Sequence, residues 1–172
     1  MSRGLGDVYK RQGTYYEIDG AINQPKPFQK PYPPLWVCGG GEKVTLKLLA
    51  RHGDYGNWDV DVEGFKHKSK ILQEHCKNEN RDYSEIGRTL HTNVLIGKDK
   101  DDLDNKITKL AEYTNIPKEY YYDRPLVGTK EEVFNTYAQY ENEGCSYLIA
   151  YIPDIIWGCL LYTSPSPRDI GE

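Results

Sequence analysis

The segment that decides the fold is PPLWVCGGGEKVTLKLLA, residues 33–50. Residues 35–38 form a short apolar run without polar alternation, which is typical of a parallel strand covered on both faces. Three glycines end this run, and a helical pattern follows over 42–52 until Gly53. A strand, a glycine turn and a helix in this order favour a parallel α/β fold.

The same alternation continues along the chain. Prolines at 25, 27, 31, 33 and 34 predict an extended connector before the segment. After it we expect strands over 54–58, 88–96 and 147–152, helices over 61–78 and 101–114, and an irregular stretch over 115–128. Thr129 and Glu132 predict a capping box that starts the last helix. The pattern alone does not separate half of an eight-stranded barrel from most of a small doubly wound sheet.

Both ends of the chain resemble the two strands of one DNA adapter. The segments SRGLGDVYKRQ, residues 2–12, and CLLYTSPSPRD, residues 159–169, can be encoded by sequences that are reverse complements of each other, read one base out of frame. Unrelated gene ends have no reason for such complementarity, whereas an adapter of a transposase-made sequencing library, translated in both orientations, has it. We therefore expect residues 1–12 and 159–172 to be artefactual, residues 13–158 to be a partial domain, and the natural gene to continue beyond both.

Composition excludes several classes of partner. The chain has 22 Lys and Arg against 26 Asp and Glu, a net charge of −4, and this mild acidity argues against nucleic acid or a membrane surface. Cys38, Cys76 and Cys145 form no CxxC pair, which favours reduced thiols in a cytoplasmic protein. The histidines have no metal-ligand spacing, so no metal site is predicted.

The glycine triplet has two open interpretations. Gly39, Gly40 and Gly41 let the backbone approach a ligand, and the amides at the start of the next helix favour a phosphate, with Lys43 as a counter-charge. A tight strand-to-helix turn without a ligand explains the triplet equally well. The segment lacks both the Gly-Lys-Ser/Thr ending of a nucleotide-binding P-loop and the GxGxxG spacing of a dinucleotide site.

A longer stretch carries a family resemblance. The text from YYEIDGAINQPKPFQKPYPPLWVCGGGEKVTLKLLARHGDYGNW through FKHKSKILQEHCKNENRDYSEI to PLVGTKEEVFNTYAQYENEGCSYLIAYIPD resembles the C-terminal half of the luciferase-like monooxygenase family. That family includes flavin-dependent monooxygenases and deazaflavin-dependent oxidoreductases. The resemblance implies about strands five to eight of a TIM-type (β/α)8 barrel.

The resemblance also implies a site. Gly39, Gly40 and Gly41 would hold the phosphate of FMN or of the deazaflavin coenzyme F420, and Asn57 would face the same pocket. The parent enzyme would transfer hydride or activate oxygen on a small organic substrate. Its catalytic residues would lie in the first four strands, so none is assigned here and this chain alone is expected to be inactive.

The sequence leaves the coenzyme, the oligomeric state and the class of protein open. The sequence does not decide between the two coenzymes, or between a monomer and a homo-oligomer. A different class of protein, a small α/β module that binds a phosphate-bearing ligand without catalysis, is the alternative. Cys38, where the family tends to have a small or apolar residue, is expected to be a tolerated core thiol.

Other candidate residues have simpler explanations. We expect His67 and His75 to belong to a solvated helix face, and His91 either to line the mouth of the barrel or to be packed. The segment EYYYDR, residues 119–124, is interpreted as a surface loop, with a substrate wall as the alternative. The acidic residues 99–104 lack the register of a calcium loop and predict a helix start.

Overall fold

The computed structural model describes residues 9–15, 17–21 and 24–156. The chain divides into two units, one ending at Pro34 and the other beginning at Leu35. In the first unit, strand β1 (Tyr9–Gln12) pairs antiparallel with strand β2 (Glu17–Ala21). Residues 24–34 contain neither helix nor strand, as the prolines predict. The pairing of β1 does not test the adapter origin, which stays a prediction, and residues 1–8 and 157–172 lie outside the described part.

The second unit alternates strands and helices. Its described strands are β3 (Trp36–Cys38), β4 (Tyr55–Trp58), β5 (Gly87–Gly97), β6 (Leu126–Thr129) and β7 (Tyr147–Tyr151). Its described α-helices are α1 (Thr45–His52), α2 (Val62–Asn78), α3 (Lys100–Thr114), α4 (Lys118–Tyr122) and α5 (Lys130–Asn142). Every predicted strand and helix is present. The prediction of an irregular stretch over 115–128 is wrong, because it contains α4 and most of β6.

All strand pairs of the second unit are parallel, as predicted. The hydrogen-bonded order is β3-β4-β5-β6, and β7 also pairs with β5. Strand β5 has 11 residues and pairs with three other strands along different parts of its length. Gly87–Leu90 pairs with β4, Thr89–Asn93 with β7, and Val94–Gly97 with β6. The carboxyl ends of these strands therefore point the same way, which is where such sheets bind ligands.

Side-chain caps fix where the helices begin. The Asp61 carboxylate accepts a hydrogen bond from the Gly64 amide at 2.8 Å at the start of α2. Asp99 caps α3 in the same way, so the predicted helix start in this acidic run is confirmed. The predicted capping box of α5 is also present, with Thr129 and Glu132 as its two members.

Two apolar clusters hold the sheet to its helices. The larger lies between the sheet and helices α1, α2 and α5, and its largest members are Leu46, Leu49, Trp58, Phe65, Leu72, Leu90 and Tyr140. The smaller contains Leu95, Leu103, Ile107, Leu110 and Tyr121. The Tyr140 hydroxyl donates a 2.7 Å hydrogen bond to the Val60 carbonyl, and burial raises the pKa of this tyrosine, so the hydroxyl stays protonated.

The other face of the sheet is exposed in part: Thr89 is fully buried on it, whereas several large rings are not. Strand side chains alternate, and Trp58, Leu90 and Leu148 of one set pack in the larger cluster. The opposite set defines what we call the open face: Trp36, Cys38, Tyr55, Asn57, Thr89, His91, Tyr147 and Tyr151. Trp36 is 41% exposed, Tyr147 56% and Tyr151 63%. Such large apolar rings on one sheet face usually mark a surface that another element covers.

Candidate functional site

The glycine loop lies at the carboxyl edge of the sheet, between β3 and α1. The Gly39 amide donates to the Asn57 carbonyl at 3.2 Å, so the loop begins beside the end of β4. Gly39 has φ of +104°, a conformation that L side chains rarely adopt. A Cβ on Gly40 would lie 2.6 Å from the Lys68 ammonium, so a side chain there would displace the end of Lys68.

Three consecutive carbonyl groups of the loop accept hydrogen bonds from the protein. The Gly40 carbonyl accepts from Lys68 Nζ at 2.8 Å, and the Gly41 carbonyl accepts from the Leu46 amide at 3.0 Å. The Glu42 carbonyl accepts from His75 Nε2 at 2.8 Å. The orientation of three successive peptide planes is therefore fixed.

This orientation determines where the loop amides point. In a trans peptide the N–H points away from the carbonyl of the preceding residue, and the cis peptides found among the described residues lie elsewhere, at Pro25 and Pro31. The amides of Gly41, Glu42 and Lys43 thus face away from the groups that hold the carbonyls. None of these three amides donates to another group in the described ranges. They are available to an acceptor such as a phosphate oxygen.

Asn57 is held beside the loop by its neighbour on β5. Its Oδ1 lies 2.9 Å from Thr89 Oγ1, which donates the hydrogen bond, and its Nδ2 lies 3.8 Å from Cys38 Sγ. Thr89 Oγ1 is also 3.0 Å from the Gly56 carbonyl. The structure thus brings Asn57 and the glycines together, and a coenzyme pocket shared by them stays a prediction. Cys38 is not a core thiol: it is exposed on the open face, and that prediction is wrong.

A charged residue from another element, Lys68, also contacts the loop, and the sequence reasoning missed it. Lys43, the predicted counter-charge, is exposed, and its role stays a prediction. Lys68 lies on α2, far from the glycines in sequence, and is half-buried where its ammonium meets the Gly40 carbonyl. No local sequence motif indicates that Lys68 contacts the glycine loop. His67 is exposed, as expected for a solvated helix face, and His75 is half-buried; both also contact Glu42.

A second group of side chains lies near β4 and β5. Tyr120 of α4 accepts a 3.4 Å hydrogen bond from Asn93 Nδ2, and the Arg124 guanidinium lies 4.5 Å above its ring. Arg124 also contacts Asp59, just after β4, at 3.1 Å. The predicted surface loop over 119–124 therefore includes a short helix that contacts the strands. His91, on the same face as Thr89, is exposed and not packed.

The described residues contain no group of three or more His, Cys, Asp or Glu side chains that could hold a metal ion. None of their helices is both long enough and apolar enough to span a membrane.

Known proteins match this chain in structure and not in sequence. No family model matches it, and a comparison with curated proteins finds no match. Among solved structures, an F420-dependent secondary alcohol dehydrogenase bound to an F420-acetone adduct is similar, with a TM-score of 0.66 and 15% identity over 86% of this chain and 51% of that one. A monooxygenase from Streptomyces bottropensis has a TM-score of 0.65 and 16% identity, over 86% of this chain and 49% of that one.

A third similar structure is a riboflavin lyase with modified FMN and the substrate riboflavin. Its TM-score is 0.61 and its identity 13%, over 90% of this chain and 47% of that one. The chain thus spans about half the length of the solved structures it matches. The predicted fold class is confirmed: a parallel α/β fold that matches luciferase-like barrel enzymes over about half their length.

Proposed function

We propose that this chain is the C-terminal half of a luciferase-like oxidoreductase, and that its glycine loop binds the phosphate of a flavin or deazaflavin coenzyme. The observation that carries the proposal is the set of free amides at Gly41, Glu42 and Lys43, at the carboxyl edge of a parallel sheet. Solved structures of similar fold include one with an F420 adduct and one with modified FMN, which supports this class of ligand.

The residues present fit such a group. Backbone donors face one side of the loop, Gly40 and Gly41 leave no side chain over it, and the Lys68 ammonium holds the Gly40 carbonyl on the opposite side. When bound, the coenzyme supplies hydride transfer or oxygen activation. The role of this chain is to hold the phosphate and to orient the rest of the coenzyme along the open face.

The half-barrel assignment explains the open face. In a closed barrel, the side chains on the inner face of each strand pack against those of the opposite strands. Trp36, Tyr147 and Tyr151 would then be covered by the other half, and the substrate and the catalytic residues would belong mainly to that half. The chain alone would therefore be inactive. A complete small binding module, the alternative, gives no reason for three exposed rings on one sheet face.

The same proposal implies a class of substrate and a cellular location. The parent enzyme acts on a small organic substrate in the cytoplasm, where the free thiols of Cys38, Cys76 and Cys145 remain reduced. Burial raises the pKa of Cys76 and of Cys145, which keeps both as neutral thiols inside the core.

The test compares two ligands that differ by one phosphate. FMN and riboflavin are titrated into the full chain while the backbone amide resonances are followed by NMR. We expect FMN to shift the resonances of Gly41, Glu42 and Lys43 and riboflavin to leave them in place. Equal shifts with both ligands, or none with FMN, would rule out phosphate binding by the loop. A parallel titration with F420 compares the two coenzymes.

A further inference from the structure

Helix α2 presents one side of its surface to the glycine loop. Lys68 and His75, about two helical turns apart, donate to the carbonyls of Gly40 and Glu42. The helix itself is held in place, because Phe65, Ser69, Leu72 and Cys76 are buried on the adjoining face. The loop-facing side chains therefore act from a fixed support, and they set the direction of the Gly41 and Lys43 amides.

The Lys68 ammonium contacts the loop through a backbone carbonyl and not through a carboxylate. It makes one hydrogen bond, to the Gly40 carbonyl at 2.8 Å, although it carries three donors. None of the ion pairs formed within the described ranges includes Lys68. The Gly40 carbonyl is therefore the group that holds this half-buried ammonium, and the ammonium in turn fixes the peptide between Gly40 and Gly41.

The one acidic residue of the loop is turned toward the same helix. Glu42 would repel a phosphate if its carboxylate faced the free amides. Its Oε1 instead lies 3.0 Å from His67 Nε2, on α2. The Glu42 carboxylate is thus directed toward helix α2, and the Lys68 ammonium lies beside Gly40.

We propose that Lys68 is a positioning residue of the phosphate site: its hydrogen bond to the Gly40 carbonyl holds the peptide between Gly40 and Gly41 so that the Gly41 amide faces the phosphate. This inference rests on the proposed function. It adds a residue to the expectation at the sequence level, which named Lys43, the basic residue next to the glycines. Distance along the chain misleads here, because the folded helix brings Lys68 to the glycines and leaves Lys43 exposed.

The test measures FMN, riboflavin and inorganic phosphate binding to variants of the full chain by titration calorimetry. Lys68→Met removes the charge and the hydrogen bond, and we expect the FMN and phosphate affinities to fall about ten-fold or more, with riboflavin unchanged. Lys68→Arg keeps a charged donor and should recover most of the affinity. Lys70→Met, an exposed lysine of the same helix, is the matched control and should leave all three affinities within about two-fold.

Three readouts separate the possible results. If wild-type chain binds FMN no better than riboflavin, the proposed function fails and this inference fails with it. If wild type does discriminate and Lys68→Met discriminates equally well, the inference alone is overturned. A purely structural role is recognised by Lys68→Met weakening riboflavin as much as FMN.

Discussion

Two threonines of β5 offer a test of how buried hydroxyl groups contribute to this fold. Thr89 is fully buried and 2% of Thr92 is exposed, so both lie in the same strand in similar burial. Thr89 Oγ1 lies 3.0 Å from the Gly56 carbonyl and 2.9 Å from Asn57 Oδ1. Thr92 Oγ1 is buried without a hydrogen-bond partner among the described residues. The same Thr→Val change should therefore have opposite effects at the two positions.

The magnitudes follow from the hydrogen bonds. The Thr89 hydroxyl has one proton to share between two oxygens, so Thr89→Val loses about one hydrogen bond and leaves a buried acceptor, which costs about 1–2 kcal/mol. Thr92→Val removes a hydroxyl that is buried without a partner, and should stabilise the fold by about 1–2 kcal/mol. The difference of about 2–4 kcal/mol corresponds to melting temperatures roughly 4–16 °C apart for a unit of this size.

The assay is urea unfolding of wild type and both variants, followed by circular dichroism, with thermal melts as a second measurement. Unchanged m-values would show that the variants differ in stability and not in the extent of folding. Thr89→Val should unfold first and Thr92→Val last. If both variants shift in the same direction, or if Thr92→Val is the less stable of the two, the hydrogen-bond reasoning is wrong.

Two further predictions concern the ends of helices. Arg81 is largely buried and donates to three carbonyls at the end of α1, so Arg81→Met should lower the free energy of unfolding in urea by about 2–4 kcal/mol. The control Arg51→Met removes a partly exposed ion pair with Glu79 and should lower it by less than about 1 kcal/mol. Equal losses would contradict this prediction. The Thr129 amide, bonded to the Glu132 carboxylate, lowers the pKa of Glu132 below its ordinary 4.5, so this stabilisation is complete above that pH and is lost as the pH falls through the lower folded-state pKa. Glu132→Gln should therefore flatten the loss of stability between about pH 5 and pH 3, and an unchanged slope would count against the capping box as its source.

Local patterns predicted the strands and helices well, because the information lies within a few residues. Helix α2 illustrates this: apolar spacing gave its buried side and Asp61 marked its start. Strand β6 was missed because it has only four residues and its last one, Thr129, also caps α5. Helix α4 was missed because a run of tyrosines beside proline and arginine has neither clear periodicity nor a cap.

The site was predictable only in part, for a related reason. The glycines and Asn57 end neighbouring parallel strands, so topology alone brings them together. Lys68 and His75 have no such signal. On a helical period, Lys68 is simply the polar neighbour of buried Ser69, and nothing in the pattern tells which loop it will meet. Contacts between distant segments depend on how α2 packs against α1, which is a tertiary property.

The register of the sheet aligns side chains of the open face in rows that run across the strands. Trp36 and Tyr55 are paired across β3 and β4, and their rings stack at 4.5 Å. One step nearer the carboxyl ends, Cys38, Asn57 and Thr89 are in register and linked by their side chains. Barrel interiors are filled in such rows, and ligands bind at the carboxyl end. The same row continues to Tyr147 on β7, so its polar side chains lie on the strands nearer the glycine loop and its aromatic one lies on the strand beyond them. Under the proposed function, the phosphate would therefore lie at the polar end of this row.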